Sequence, residues 1–301
     1  MSTTANIDPT RRPQAVAAWV LALPFVVLFL AFTAGPVLAS LVMSFTDFRI
    51  SDMRSPFAVE FLALDNYTKL LGDELFRKVA LNTALYVVLG VPLTMALALA
   101  VAVGLNRVGR LRGFFRVGYY LPVVTSIVAV SVVWKFIYRQ NGGLLNTVLG
   151  WVGVDGLAWL DSTALALPSV VVMSAWRNFG FLMVIFLAGL QTVPKEQHEA
   201  AEVDGATAWQ RFRHITLPTL RPTLLFGAII TSIGYLQFFE EAFVMTKGGP
   251  LDATRSVTFY TYDQFEYGNY GVAAAASYLL FLAVVVLTLV QFKIFGEKEA
   301  R

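Results

Sequence analysis

Few residues in this chain are equipped for chemistry, and their surroundings are informative. Arg177 sits inside a long apolar run, in SAWRNFGF. A guanidinium at bilayer depth costs roughly 3 kcal/mol or more, so it faces a cavity or a partner. Two roles fit it. One is contact with a solute that bears hydroxyl, carboxylate or phosphate groups. The other is a salt bridge to Glu240 or Glu241, near the outer end of a later apolar run. The two are compatible, because an ion pair can line a cavity. The remaining inventory is thin. His198 and His214 are the only histidines, no metal-ligand cluster surrounds them, and there is no cysteine. That excludes disulfides and thiolate metal sites and gives no sign of a metalloenzyme. No GxxxxGK[ST] loop is present to cradle nucleotide phosphates, so the chain does not read as its own ATP-driven motor.

The other chemically distinctive stretch is QHEAAEVDGATAWQRFRHITLP, from Gln197 to Pro218. Pro194 before it suits a first helical position, where a missing N–H costs nothing. Glu196, Glu199 and Glu202 recur every three residues and share one helical flank. The early ones complement the positive end of the helix dipole. Ala200 and Ala201 make a small, smooth neighbouring face, and Gly205 can leave the helix in a left-handed conformation. In a second helix Ala208, Phe212 and Ile215 form one apolar face with Trp209 beside it. Arg211, Arg213 and His214 make its other side basic, and Leu217-Pro218 is expected to end it. The pattern is helix–turn–helix, with one helix resting on a membrane domain and the other projecting. It fits either amphipathic helices lying on lipid or a docking site for a cytoplasmic partner. DNA binding is disfavoured, because the segment is tethered at both ends and its first helix is acidic.

These residues must be held by apolar elements. Of 301 residues, 57% are hydrophobic and 14% charged, against about half and a quarter in soluble domains. The excess comes in blocks of about twenty residues or more, enough to cross the hydrocarbon as a helix. The fold class is therefore an all-α polytopic membrane protein. Six spans are expected at about 16–45, 79–103, 117–138, 164–190, 223–245 and 272–295. They form a domain over 16–295, with a loop at 191–222 and short tails at 1–15 and 296–301. The first apolar run is too long for the core of a signal peptide.

Basic residues set the orientation. Arg11 and Arg12, then Arg107, Arg110, Arg112 and Arg116, then Lys195, Arg211, Arg213 and Arg221, then Lys293, Lys298 and Arg301 all fall on one side. By the positive-inside rule both termini and the 191–222 loop are cytoplasmic. The net charge of +3 reports topology rather than a nucleic-acid partner. Outside, Gly142–Leu160 is too broken to span. It suits an interfacial helix or a cover, with Trp151 and Trp159 at headgroup level. Trp134, Lys135, Tyr138 and Arg139 suit interfacial anchoring, and Lys247–Pro250 suits a turn.

Glu199-Ala200-Ala201, then Gly205, Ile215 and Leu217-Pro218, in the spacing EAA-x3-G-x9-I-x-LP, resembles the EAA loop of integral membrane subunits of binding-protein-dependent ABC importers. NTALYVVLGVPLTMALALAVA, FFRVGYYLPVVTSIVAVSVVW, ITLPTLRPTL and VMTKGGPLDATRS look like the carbohydrate branch, the maltose-type and glycerol-phosphate-type permeases. The likeness covers roughly residues 15 to 295.

The resemblance implies a type I importer permease fold in a bacterial or archaeal inner membrane. It implies a second homologous permease, two ATPase subunits that bind ATP and Mg²⁺, an extracytoplasmic binding protein, and no cofactor in this chain. Glu199, Ala200, Ala201, Asp204 and Gly205 would form a coupling helix seated in an ATPase cleft. Sugar-binding positions of such permeases match Val123–Ile127, Ser174–Phe181 and Gly234–Phe238. These stretches offer Thr125, Ser126, Ser174, Arg177, Asn178, Phe181, Tyr235 and Gln237, to which Glu240 and Glu241 are added as pathway candidates. Any of them can instead be glue between helices. A permease for glycerol phosphate or another polar metabolite remains an alternative. A secondary transporter would have to use Glu240 or Glu241 as its ion-coupling carboxylate, and no inverted repeat is evident.

Overall fold

The computed structural model describes residues 11–55, 59–109 and 111–296. Residues 1–10 and 297–301 of the expected tails, Arg110, and the side chains of Arg11 and Arg12 lie outside what is described. The described residues are helical apart from loops and one isolated bridge between Thr46 and Phe61. In order the helices are α1 (Arg11–Phe29), α2 (Gly35–Met43), α3 (Asp65–Gly72), α4 (Glu74–Arg107), α5 (Arg112–Val124), α6 (Ile127–Ile137), α7 (Leu144–Trp151) and α8 (Ala166–Leu190). Then come α9 (Lys195–Val203), α10 (Ala208–Arg211), α11 (Leu217–Thr219), α12 (Arg221–Leu236), α13 (Glu240–Met245), α14 (Val257–Glu266) and α15 (Tyr270–Gly296).

Four helical stretches are long and apolar enough to span: Ala18–Met43, Glu74–Arg107, Ala166–Leu190 and Tyr270–Ile294. Two bent pairs raise the number to six, α5 with α6 and the stretch from α10 to α12. The expected number of spans is reached, but two expected spans are broken. The third, expected unbroken over 117–138, bends by 96° between Val124 and Ile127. Pro122 has no N–H to give the preceding turn, Thr125 is extended, and Ser126 is non-helical at ψ 127°. The fifth, expected over 223–245, stops at Leu236. Residues 237–239 leave the helix, and Ser256 Oγ donates to the freed Phe238 carbonyl at 2.6 Å. The second span is longer than expected, 34 residues from an N-cap at Asp73 that accepts from the Phe76 N–H at 2.7 Å. At 1.5 Å per residue it is roughly 50 Å long and overshoots the hydrocarbon at its ends.

Two π-helical turns, Leu30–Ala34 and Phe212–Thr216, each close just before a proline. The Gly35 and Leu217 N–H groups reach back five residues, to Leu30 and Phe212, ahead of Pro36 and Pro218. A proline ring crowds the carbonyl four residues before it, and the wider turn makes room. Hence Leu217-Pro218 does not end its helix as expected. The helix continues to Thr219 and turns at Leu220, 67° from α12.

The core is built on α8, which packs along α4, with α12 against α4 and α5 against α8. Ala98 and Ala102 of α4 lie against Leu182, Met183 and Phe186 of α8. Small residues at such seams let helices approach where no water drives association. Leu70, Phe76, Val79 and Tyr260 close a second cluster against Ala275 and Ala276 of α15. Tyr138 and Trp159 pack in the core rather than serving as lipid anchors. Tyr138 is buried and donates to the Ser169 carbonyl at 2.9 Å, with the Trp159 ring 5.8 Å away. Trp151 does remain exposed.

Candidate transport site and coupling helix

Side chains from α4, α8, α12 and α13 converge on a half-open cavity of about 360 Å³ within the spans. Arg177, Asn178 and Phe181 of α8 share it with Tyr235 of α12 and Glu241 of α13. Arg177 makes no ion pair with Glu240 or Glu241; the ion pairs among the described residues lie elsewhere. Its guanidinium instead donates to the Val123 and Thr125 carbonyls, both at 3.3 Å, and to Asn178 Oδ1 at 3.1 Å. Those carbonyls lie where α5 breaks. Arg177 thus satisfies backbone that the bent span leaves open and also walls the cavity. Among the described residues, Arg177 Nε and Glu241 Oε2 are buried without a hydrogen-bond partner.

Behind the wall a polar relay fixes the aromatic faces. Tyr86 donates to Ser174 Oγ at 2.5 Å, and Ser174 Oγ lies 3.5 Å from Glu241 Oε1. Tyr235 and Thr94 hydroxyls are 2.6 Å apart, and Thr94 donates to the Gly90 carbonyl at 2.7 Å. The Tyr86 ring stacks on Phe238 at 3.8 Å and lies 5.0 Å from Tyr235. A Cβ at Gly90 would overlap the Tyr235 ring. Gly90→Ala is therefore expected to displace Tyr235 from Thr94 and to destabilise by about 1–3 kcal/mol. A thermal melt of the purified variant in detergent, read against Thr94→Val, checks this.

Several sequence candidates lie outside the cavity wall. Ser174 is fully buried behind it, and Thr125 sits in the α5–α6 break with its hydroxyl on the Leu121 carbonyl at 2.9 Å. Ser126, Gln237 and Glu240 do not line it. Tyr86 and Thr231 do, and neither was singled out from sequence. For Tyr86 a signal existed: Asn82, Thr83 and Tyr86 give an apolar span one polar stripe at helical spacing. Guanidinium, amide and carboxylate groups beside aromatic faces can hydrogen-bond a polyhydroxylated ring while stacking on its C–H face.

On the loop side, Pro194 is the N-cap of α9 rather than its first residue. α9 ends as its glycine requires. Gly205 has φ +79°, and the Ala206 N–H returns to the Ala201 carbonyl at 2.8 Å. Thr207 and Gln210 then cap α10 reciprocally, as a capping box does. Arg211 pairs with Glu202 across the turn, holding the two helices as a unit. Ala201, Asp204 and Gly205 border a hollow of about 400 Å³ between the helices. Ala200 is exposed, and Glu199 is exposed and forms no ion pair among the described residues. Val203 is 88% exposed at the tip, an apolar contact available to a partner.

Residues 74–293 match the family described as "Binding-protein-dependent transport system inner membrane component". The chain is similar to the probable ABC transporter permease protein YesP of Bacillus subtilis (strain 168), 36% identical over 94% of this chain and 91% of that one. It is similar to the lactose transport system permease protein LacF of Rhizobium radiobacter, 33% identical over 99% of this chain and 100% of that one. Its fold matches a chain in the crystal structure of a bacterial alginate ABC transporter in complex with an alginate pentasaccharide-bound periplasmic protein. The TM-score there is 0.78 at 24% identity, over 95% of this chain and 96% of that one. The chain belongs to the family of inner membrane components of binding-protein-dependent transport systems, as a permease subunit of an ABC importer.

Proposed function

We propose that this chain forms half of the translocation pathway for a sugar or oligosaccharide. The observation that carries this is the convergence of Arg177, Asn178, Phe181, Tyr235 and Glu241 on one cavity at the level of the spans. The named substrate of the LacF relative supports it. In this reading a second, homologous permease supplies the other half, and an extracytoplasmic protein delivers the solute. Two ATPase subunits bind ATP and Mg²⁺ and close on α9. That closure turns the cavity from one side of the membrane to the other. Both termini and the 191–222 loop are cytoplasmic, as the basic residues there favour. A phosphate-bearing solute would also suit Arg177, but Glu241 on the same wall disfavours an anion.

The chain has no cysteine, so one introduced thiol is unique within it. In the assembled transporter, Asn178→Cys is expected to react with a small maleimide at a rate slowed several-fold by an oligosaccharide supplied with its binding protein. Equal rates across a panel of neutral and acidic oligosaccharides would refute the sugar pathway.

A further inference from the structure

A cavity larger than the one in the spans lies elsewhere in the chain. About 680 Å³ lies between the cytoplasmic end of α4, the start of α5, the end of α8 and the inner face of α9. Its wall carries Arg107, Arg112, Lys195 and Arg211, with Glu199 as the one carboxylate. Loop arginines are expected on this side for topology alone, but topology does not require them to converge. Arg112 is fixed in place. Its guanidinium donates to the Leu105, Asn106 and Val108 carbonyls at 3.2, 2.8 and 3.3 Å, closing the C-terminus of α4. Arg211 is balanced by Glu202. Arg107 and Lys195 have no carboxylate partner among the ion pairs of the described residues. Asn106, Gln191 and Thr216 add neutral hydrogen-bonding groups, and Val103, Leu190 and Val193 form an apolar floor.

We propose that this cavity is a binding site for a phosphate group, held by Arg107 and Lys195 beside the fixed Arg112. Arginine and lysine around a pocket with neutral donors and a low-dielectric floor are the chemistry that holds phosphate oxygens. The site lies at the cytoplasmic ends of the spans, so two sources share that chemistry: the phosphodiester of an anionic phospholipid and free phosphate. The site is separate from the solute cavity, and the inner face of α9 forms one of its walls.

The test uses the full chain in dodecyl maltoside micelles, which bring no phosphate. Phosphatidylglycerol is added to the micelles in one arm and millimolar inorganic phosphate to the buffer in the other. The melting temperature and, by native mass spectrometry, retained lipid are read. The expected result is a stabilised wild type, with the double variant Arg107→Gln, Lys195→Gln weakened roughly 30-fold in its apparent affinity. Stabilisation by phosphatidylglycerol alone assigns a lipid headgroup, and stabilisation by phosphate as well assigns the free ion. Arg112 is left intact because it holds the end of α4. Arg213→Gln, an exposed charge outside the cavity, is the control for general surface attraction, which salt screens. No stabilisation of wild type by either probe would overturn the site. So would an equal loss in Arg213→Gln, or an unchanged response in the double variant.

Discussion

ATP-driven uptake is expected to fall by more than about tenfold in Gly205→Val, while docking of the binding protein on the outer face stays at wild-type strength. The reason is local. Gly205 holds φ +79° where α9 turns into α10. A side chain there costs roughly 1–2 kcal/mol in the left-handed region, and more for a β-branched residue. The space around a Cβ at this position is open in the chain itself, so crowding inside the subunit contributes nothing. A graded series separates the causes. Gly205→Asn tolerates the left-handed conformation and should keep several times more uptake than Gly205→Val if the turn alone matters. If both variants fail alike, the glycine is needed because the partner surface closes on it. Glu199→Lys reverses the charge of the exposed flank and should uncouple transport; because Glu199 is the carboxylate among Arg107, Arg112, Lys195 and Arg211, Glu199→Gln, which adds no cation, is run beside it to separate coupling from stability. Wild-type uptake in both Gly205→Val and Glu199→Lys would remove α9 from the coupling path.

The second large effect belongs to Arg177→Ala. It removes the cation of the cavity and strips the donors from the Val123 and Thr125 carbonyls. The Val123 acceptor is part-buried and the Thr125 acceptor exposed, so the loss is expected at or below the low end of the roughly 1–3 kcal/mol for a buried unsatisfied group. Uptake should fall at least about tenfold and the melting temperature should fall with it. Arg177→Lys keeps the charge but not the fork that reaches two carbonyls, so an intermediate loss is expected in both readouts. Glu241→Gln provides the contrast. It keeps a hydrogen-bonding group toward Ser174 and removes a buried charge with an unpartnered oxygen. Uptake should drop while stability holds or rises. Equal loss of stability in Glu241→Gln and Arg177→Ala would place both residues in scaffolding rather than in the pathway.

The loop was the most legible part of the chain. Its signals are local: a proline at a helix entry, acids at three-residue spacing, and a glycine that must take positive φ. The span count was legible too, because hydrocarbon thickness sets one length for every span. The breaks in the third and fifth spans were not. Hydropathy is blind to them, since Thr125, Ser126 and Gln237 sit among apolar neighbours. What permits the first break is a residue more than fifty positions away, Arg177 reaching the carbonyls of α5. The same long-range contact replaces the ion pair with Glu240 or Glu241, one of the two roles open to Arg177 from sequence. The cavity was half legible. The residues of α8 and α12 stood out by type, whereas Tyr86 enters the wall only because α4 packs along α8.

In the proposed reading a solute crosses through this chain at the expense of ATP, with α9 carrying the coupling. The most direct measurement is uptake of a labelled oligosaccharide into proteoliposomes that hold the chain with its partner permease, ATPases and binding protein. The chain carries Ala200→Cys as its only thiol, and ATP or a proton gradient is supplied separately. Uptake is expected with ATP and binding protein, none with the gradient alone, and a stop to uptake when Cys at position 200 is cross-linked to an ATPase subunit. Uptake driven by the proton gradient without the ATPases, or ATP-driven uptake that persists after that cross-link, would contradict this reading.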